Sequence, residues 1–363
     1  MKRIFLSAAL SLPLSLSAVA QTMTEWKDMN VNEVNRLSPH TPAFPFENLD
    51  AASMCRTESS RYLSIDGEWR FFWTENATDT IPAGFSEPQF DDKDWGWMKV
   101  PGMWELQKGP DGKLPSERQQ KDAYGVPVYV NMGFAWHRQY KNNPPMPPTE
   151  KNHVGIYRRN IIVPQAWCAA AKTKTNGRSN AGKTAAKAGN GDGKQVILHL
   201  GGVSSCVYVW MNGAFVGYAE DSKVAAEFDV TPFVKAGVNQ ITMKVYRWCD
   251  GSYCEDQDAW RLTGIARHSF LYARDAETHI DNLQLTAGAD GLLRIAAQVT
   301  GKASITYTLR DKDGNAVAEK TAVTDGTDRP NITEMRIDRP KLWSAETPYL
   351  YRLTAEVKNA GEK

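Results

Sequence analysis

The stretch Trp248 to Arg267, WCDGSYCEDQDAWRLTGIAR, holds four carboxylates, two cysteines, two tryptophans, a tyrosine and two arginines. It directly follows Asn239–Arg247, an apolar-rich run that reads as a buried strand. Asp250, Glu255, Asp256 and Asp258 placed there fit a catalytic pair, a metal site, a sugar-binding loop or a solvated turn. Asp256 and Asp258 are two apart. On a strand they share a face at about 6–7 Å, and retaining glycosidases hold their two carboxyls about 5 Å apart. Spacing alone therefore permits a catalytic pair. A carboxylate also accepts sugar hydroxyls, and a hard cation takes oxygen ligands. Asp250 and Glu255 fit best a solvated, arginine-paired turn, with Arg261 holding one acid and Trp260 packed beneath.

The elements that must position these groups lie in a chain of 363 residues with formal net charge +1. That balance gives no basic face for a nucleic acid. The length predicts two or three domains. Twelve tryptophans are many, and Trp95, Trp97, Trp136 and Trp260 sit beside polar or charged residues. A flat apolar face with one N–H donor suits stacking on a sugar ring; the plainer reading places most of them in the core. Lys2 and Arg3, the apolar run Ile4–Val19 and the small residues Ala18-Val19-Ala20 before Gln21 predict a secretory leader over residues 1–20. The expected location is secreted or periplasmic. No other stretch approaches the length of a membrane span, and no cysteine at the cleavage site offers a lipid anchor.

Export permits disulfides. The five cysteines are Cys55, Cys168, Cys206, Cys249 and Cys254, so at least one has no partner within the chain. Cys249 and Cys254 flank Asp250-Gly251-Ser252; they either clip that loop or serve as small buried apolar residues. No Cys/His spacing resembles a zinc site. His137, beside Trp136, is a candidate substrate-loop residue, whereas His199 lies in an apolar strand and reads as a satisfied core group.

The periodicity is that of an all-β protein. Gly67–Trp73, Ile156–Val163, Gln195–Leu200, Cys206–Met211, Ala214–Tyr218, Gln240–Trp248 and Ser269–Ala273 read as strands. Asn212-Gly213 between alternating apolar runs signals a hairpin. Residues 168–193, rich in Ala, Lys, Gly and Asn, form a low-complexity surface loop. From about Glu277 onward six further short strands predict an immunoglobulin-like sandwich, which usually needs about 100 residues and seven strands. The chain is about one strand short of that.

Several segments resemble the large bacterial β-galactosidases of glycoside hydrolase family 2. They are NRLSPHTPAFPF from Asn35, DGEWRF from Asp66, VPGMW from Val100, PVYVN from Pro127, NGAFVGYAEDSKVAAEFD from Asn212, Trp248 to Arg267, PKLWS from Pro340 and PYLY from Pro348. Singly they are weak; their order is specific. The resemblance implies a sugar-binding jelly roll with an N-terminal extension over 21–275 and an immunoglobulin-like domain over 276–363, truncated by the missing strand. A catalytic (β/α)8 barrel would follow. A barrel needs roughly 250 residues, and only 88 follow residue 275. The catalytic glutamates are therefore expected outside this chain, and no catalytic residue is assigned within it. The resemblance further implies that Asp258 and Asn131 bind the galactosyl unit and that Asp258 ligates a monovalent cation, sodium. Magnesium would belong to the barrel. A β-galactoside is the implied substrate, and a homo-oligomer is compatible. The competing readings are a stand-alone carbohydrate-binding protein and a β-glucuronidase or β-mannosidase relative.

Overall fold

The computed structural model describes residues 23–41, 43–107, 124–131, 133–134, 136, 143–168, 193–255, 258–327 and 329–359. The leader, almost all of the 168–193 insert, His137 and Asp256 lie outside the described residues.

The protein is all-β, as the periodicity predicts. A seven-stranded antiparallel sheet runs in the order Glu33–Val34, Ala214–Ala219, Cys206–Met211, Gly237–Tyr246, Val154–Val163, Gly67–Thr74, Gly96–Val100. A four-stranded sheet follows the order Ala226–Asp229, Lys194–Leu200, Phe270–Asp275, Tyr62–Ser64. One core joins the two, with Trp69, Met98, Trp104, Tyr157, Val209 and Met243 from the larger sheet side meeting Leu198, Phe228 and Leu271 from the smaller. The Asn212-Gly213 turn has φ of 53° and 84°, the left-handed pair that a tight hairpin of this hand requires.

Strand Gly237–Tyr246 is buried from Asn239 onward on both faces, so its sequence shows no clean alternation. Its outer face lies under a second apolar cluster of Trp26, Tyr208, Trp210, Tyr218 and Tyr246. Trp26, from the N-terminal segment, stacks on Tyr246 with ring centroids 4.9 Å apart.

The strands from His279 onward form two three-stranded sheets. One orders His279–Ala287, Leu292–Thr300, Asn331–Arg336; the other orders Ala316–Val323, Ala303–Arg310, Arg352–Asn359. Their core contains Ile295, Ala297, Ile305, Tyr307 and Met335. Leu292–Thr300 shows the expected alternation: Leu293, Ile295, Ala297 and Val299 point inward. At the junction, Asp281 accepts hydrogen bonds from Arg274 (3.1 Å) and Thr300 (2.7 Å) and pairs with His279 Nε2 (3.0 Å).

Candidate substrate-binding site

Two three-residue strands, Val128–Val130 and Ala259–Arg261, form an antiparallel ribbon. Val130 stands opposite Ala259, Tyr129 opposite Trp260 and Val128 opposite Arg261. Tyr129 and Trp260 stand on one face of the ribbon, and Asn131 and Asp258 lie one residue beyond its last pair, Val130 and Ala259. The Tyr129 hydroxyl donates to Asp258 Oδ1 across the diagonal at 2.6 Å, within the reach of diagonal cross-strand pairs. The rings of Tyr129 and Trp260 lie 5.4 Å apart at 46°. All four residues are exposed, Trp260 at 61%. This end of the ribbon thus presents a carboxylate, an amide and two aromatic rings. A sugar ring needs that combination: acceptors and donors for its hydroxyls, and a flat surface for its C–H face.

The two residues the sequence nominates for substrate binding, 127 positions apart, are thereby brought together. Their oxygen donors also suit a hard cation. Trp260 does not pack beneath the loop as expected; it stands beside Tyr129 in solvent. Arg261 donates from Nη1 to the Ala259 carbonyl at 3.1 Å.

The base of the ribbon is held from inside. Arg247, next after the strand Gly237–Tyr246, donates through Nη2 to the Val126 carbonyl at 2.9 Å, two residues before the first arm. Glu105 Oε2 accepts the Thr263 N–H at 2.9 Å, two residues after the second arm. Glu105 Oε1 and Arg247 Nη2 lie 3.9 Å apart, and both side chains are buried. Burial raises the Glu105 carboxyl, opposed by the Arg247 charge, and burial lowers the Arg247 guanidinium, opposed by Glu105. Sequence reasoning missed this pair. The available signal was a charge directly beside a core tryptophan in each case, Glu105 after Trp104 and Arg247 before Trp248.

Asp250 and Glu255 are structural, but not as a solvated turn. Asp250 is 7% exposed and accepts the Gly251 N–H at 3.1 Å. Glu220, Cys249 and Asp250 each present one ligand-capable atom within 4.8 Å of the others. Burial, the neighbouring Cys249 and Asp250 push the Glu220 carboxyl up to about 10. Glu255 accepts the backbone N–H and the hydroxyl of Ser222, at 2.7 and 2.5 Å. A cleft of about 270 Å³ adjoins the ribbon, lined by Trp136, Ser205, Arg247, Trp248 and Trp260 among others.

Seven of the twelve tryptophans are buried, Trp136 included, so the core reading holds for the majority. Trp97 is exposed, with the Arg70 guanidinium 4.0 Å from its ring centroid. His199 is a satisfied group: it bonds Glu227 at 2.7 Å and stacks on Phe270. None of the five cysteines is bonded to another in this structure, and Cys249 is buried while Cys254 is exposed, so the clip between those two is not present in it.

Residues 186–275 match the family described as glycosyl hydrolases family 2, sugar binding domain, and residues 276–363 match that described as glycosyl hydrolases family 2. The chain belongs to glycosyl hydrolase family 2. Within that family, a β-galactosidase of Priestia megaterium is 30% identical over 361 residues, which cover 95% of this chain and 31% of the relative. A β-galactosidase of Aeromonas hydrophila is 33% identical over 348 residues, 91% of this chain and 30% of its own. The chain thus spans about 30% of the length of the curated relatives it matches. A solved structure of Bacteroides uniformis β-glucuronidase superposes with a TM-score of 0.56 at 19% identity, over 83% of this chain and 30% of that one; that likeness is one of fold. The immunoglobulin-like and sugar-binding assignments of the two family 2 domains agree with the two cores.

Proposed function

We propose that this chain is the sugar-binding and immunoglobulin-like part of an exported β-galactosidase. In this reading it contributes Asp258 and Asn131 to the subsite for the terminal galactosyl unit, and the catalytic carboxylates lie elsewhere in the protein. The observation that carries it is the hydrogen bond that sets the Tyr129 hydroxyl on Asp258 beside Trp260, with Asn131 at the same exposed end of the ribbon. Asp258 accepts sugar hydroxyls, Asn131 donates and accepts, and the rings support the apolar face of the sugar. A site built on such groups penalises an epimer that leaves them unpaired. Bound sodium at Asp258 would supply a positive charge that draws further hydroxyl oxygens. Asp258, Asn131 and the Tyr129 phenol are the residues that would hold it.

A β-glucuronidase reading shares the fold but meets the charge of Asp258. A glucuronide brings its own carboxylate, and like charges side by side repel. The neutral galactoside is the better fit.

The test is titration of the chain with a β-thiogalactoside and with the thioglucoside epimeric at C4, for the native protein and for Asp258→Ala. The expected result is weak, galacto-selective binding that the variant loses. Equal binding by native and variant proteins would refute the assignment of Asp258. Hydrolysis of a chromogenic β-galactoside by the native chain, abolished in the variant, would overturn the division of labour.

A further inference from the structure

We propose that Cys206 and Cys249 are a disulfide pair in the oxidised protein, tying the root of the acidic loop to the larger sheet. Cys206 opens the strand Cys206–Met211 and stands opposite Tyr246. Cys249 follows Tyr246 by three residues. The chain between them folds back over the start of the Cys206 strand. Ser205 shows this directly: its hydroxyl bonds the Arg247 carbonyl at 3.2 Å and meets Cys249 Sγ at 3.4 Å. Its backbone N–H donates to the Tyr246 carbonyl at 2.9 Å. Cys206 and Cys249 belong to the same buried cluster, with Tyr208, Tyr218 and Tyr246 around them. Burial, and then the Cys206 thiol, push the Cys249 thiol up. Of the five cysteines only these two are buried; Cys55 and Cys254 are exposed and Cys168 is half-buried.

The chemistry is thiol–disulfide exchange with an external disulfide, R–S–S–R, of the glutathione or protein-disulfide class. The Cys206 thiolate attacks one sulfur, forms a mixed disulfide and releases R–S⁻. The Cys249 thiolate then attacks the Cys206 sulfur, forms the Cys206–Cys249 bond and releases the second R–S⁻. Each cysteine gives up one proton, and the pair gives up two electrons that reduce the external disulfide to two thiols. Burial raises the Cys249 thiol and shuts the oxidant out, so the exchange belongs to the stage before the aromatic cluster closes. Burial afterwards shields the bond from reductant. The bond would cross-link the hairpin at Asn212-Gly213 and the strand Gly237–Tyr246 into one closed loop. It would fix residue 249, from which the chain runs out to Asp258.

The inference does not depend on which sugar is bound. To test it, the chain is refolded with oxidised and reduced glutathione, alkylated in denaturant, digested without reductant and mapped by mass spectrometry. The expected map has Cys55, Cys168 and Cys254 alkylated, and the Cys206 and Cys249 peptides joined until reductant is added. Reduction is expected to lower the melting temperature by roughly 5–10 °C, and a C206A/C249A variant is expected not to respond to reductant. Alkylation of all five cysteines, or a bond from Cys249 to Cys254, would overturn the proposal. Should the double variant fail to fold, the map of the native chain decides alone.

Discussion

Arg247 and Glu105 meet in the protein interior at 3.9 Å, and their remaining hydrogen bonds reach opposite arms of one exposed ribbon. A two-stranded ribbon of three-residue arms has little stability of its own. Here each arm is fixed at its base to a charge that belongs to the core. A buried ion pair is weak evidence for net stability, because desolvation offsets most of the attraction. Its consequence is positional: Val126 and Thr263 are held in place, and the register that sets Tyr129 opposite Trp260 follows.

Replacement of Glu105 by Gln retains an acceptor for the Thr263 N–H but leaves the Arg247 charge buried without a counter-charge. The expected loss of unfolding free energy is about 3–5 kcal/mol, read by urea denaturation. Amide exchange at Val128–Val130 and Ala259–Arg261 is expected to accelerate more than exchange in Leu292–Thr300 of the second domain. A uniform acceleration across both domains would refute the positional role.

Tyr129→Phe removes one hydrogen bond to Asp258 and keeps the ring beside Trp260. Because the site is exposed, thermal stability is expected to stay unchanged. Galactoside affinity is expected to fall by roughly 10- to 150-fold, the range for one hydrogen bond to a charged group. The hydrogen bond from the phenol to the Asp258 carboxylate also raises the Tyr129 pKa, so ultraviolet titration of Asp258→Ala should show one tyrosine ionising at lower pH. Unchanged affinity in Tyr129→Phe would remove Tyr129 from the site.

Much of this was legible in the sequence because it depends on local pattern. Alternation at Leu292–Thr300 and the Asn212-Gly213 turn are properties of short windows, and the fold class follows from them. Asp258 and Asn131 are nominated through motif order, not through any contact the sequence displays. Tyr129 was not singled out, although it is two residues from Asn131. Glu105 and Asp250 were hidden for a physical reason. An ionisable residue near a turn looks solvated until its long-range partners are known, and Arg247 and Glu220 lie far from Glu105 and Asp250 in sequence. Gly237–Tyr246 lost its alternation because the N-terminal segment covers its outer face.

A second buried acid sets the pH response of the jelly roll. Glu227 accepts from His199 at 2.7 Å and His40 at 2.9 Å. Burial alone would raise its carboxyl, but the hydrogen bonds from His199 and His40 prevail and hold it at about 2, against 4.5 ordinarily. This depressed value stabilises the fold by about 3 kcal/mol above pH 4.5, and the contribution is lost as pH falls through 2. His40 works in the opposite sense. The side-chain bond to Glu227 raises it above 6.5, so its share is present below pH 6.5 and fades as pH climbs through the raised value. The difference in unfolding free energy between native protein and Glu227→Gln should therefore be flat from about pH 4.5 to 6.5 and decline on both sides. The imidazole of His153, lowered by burial to about 3, acts in both proteins and cancels. A difference independent of pH would show that Glu227 contributes by shape alone.

The cation reading of Asp258 can be separated from its role as a plain hydrogen-bond acceptor. A carboxylate, an amide and a phenol at one end of the ribbon supply only hard oxygen donors. Replacing tetramethylammonium with sodium at constant ionic strength should therefore strengthen thiogalactoside binding, by about 5-fold if the coupling between ion and sugar is of ordinary size. Asp258→Asn keeps an oxygen acceptor and removes the charge. It should retain part of the sugar affinity and lose the sodium response. The coupling is reciprocal, so the sugar must tighten sodium binding by the same factor, which ²³Na relaxation can read without any turnover. A sodium response that survives in Asp258→Asn would place the ion elsewhere, and equal affinities in the two salts would leave Asp258 as a hydroxyl acceptor only.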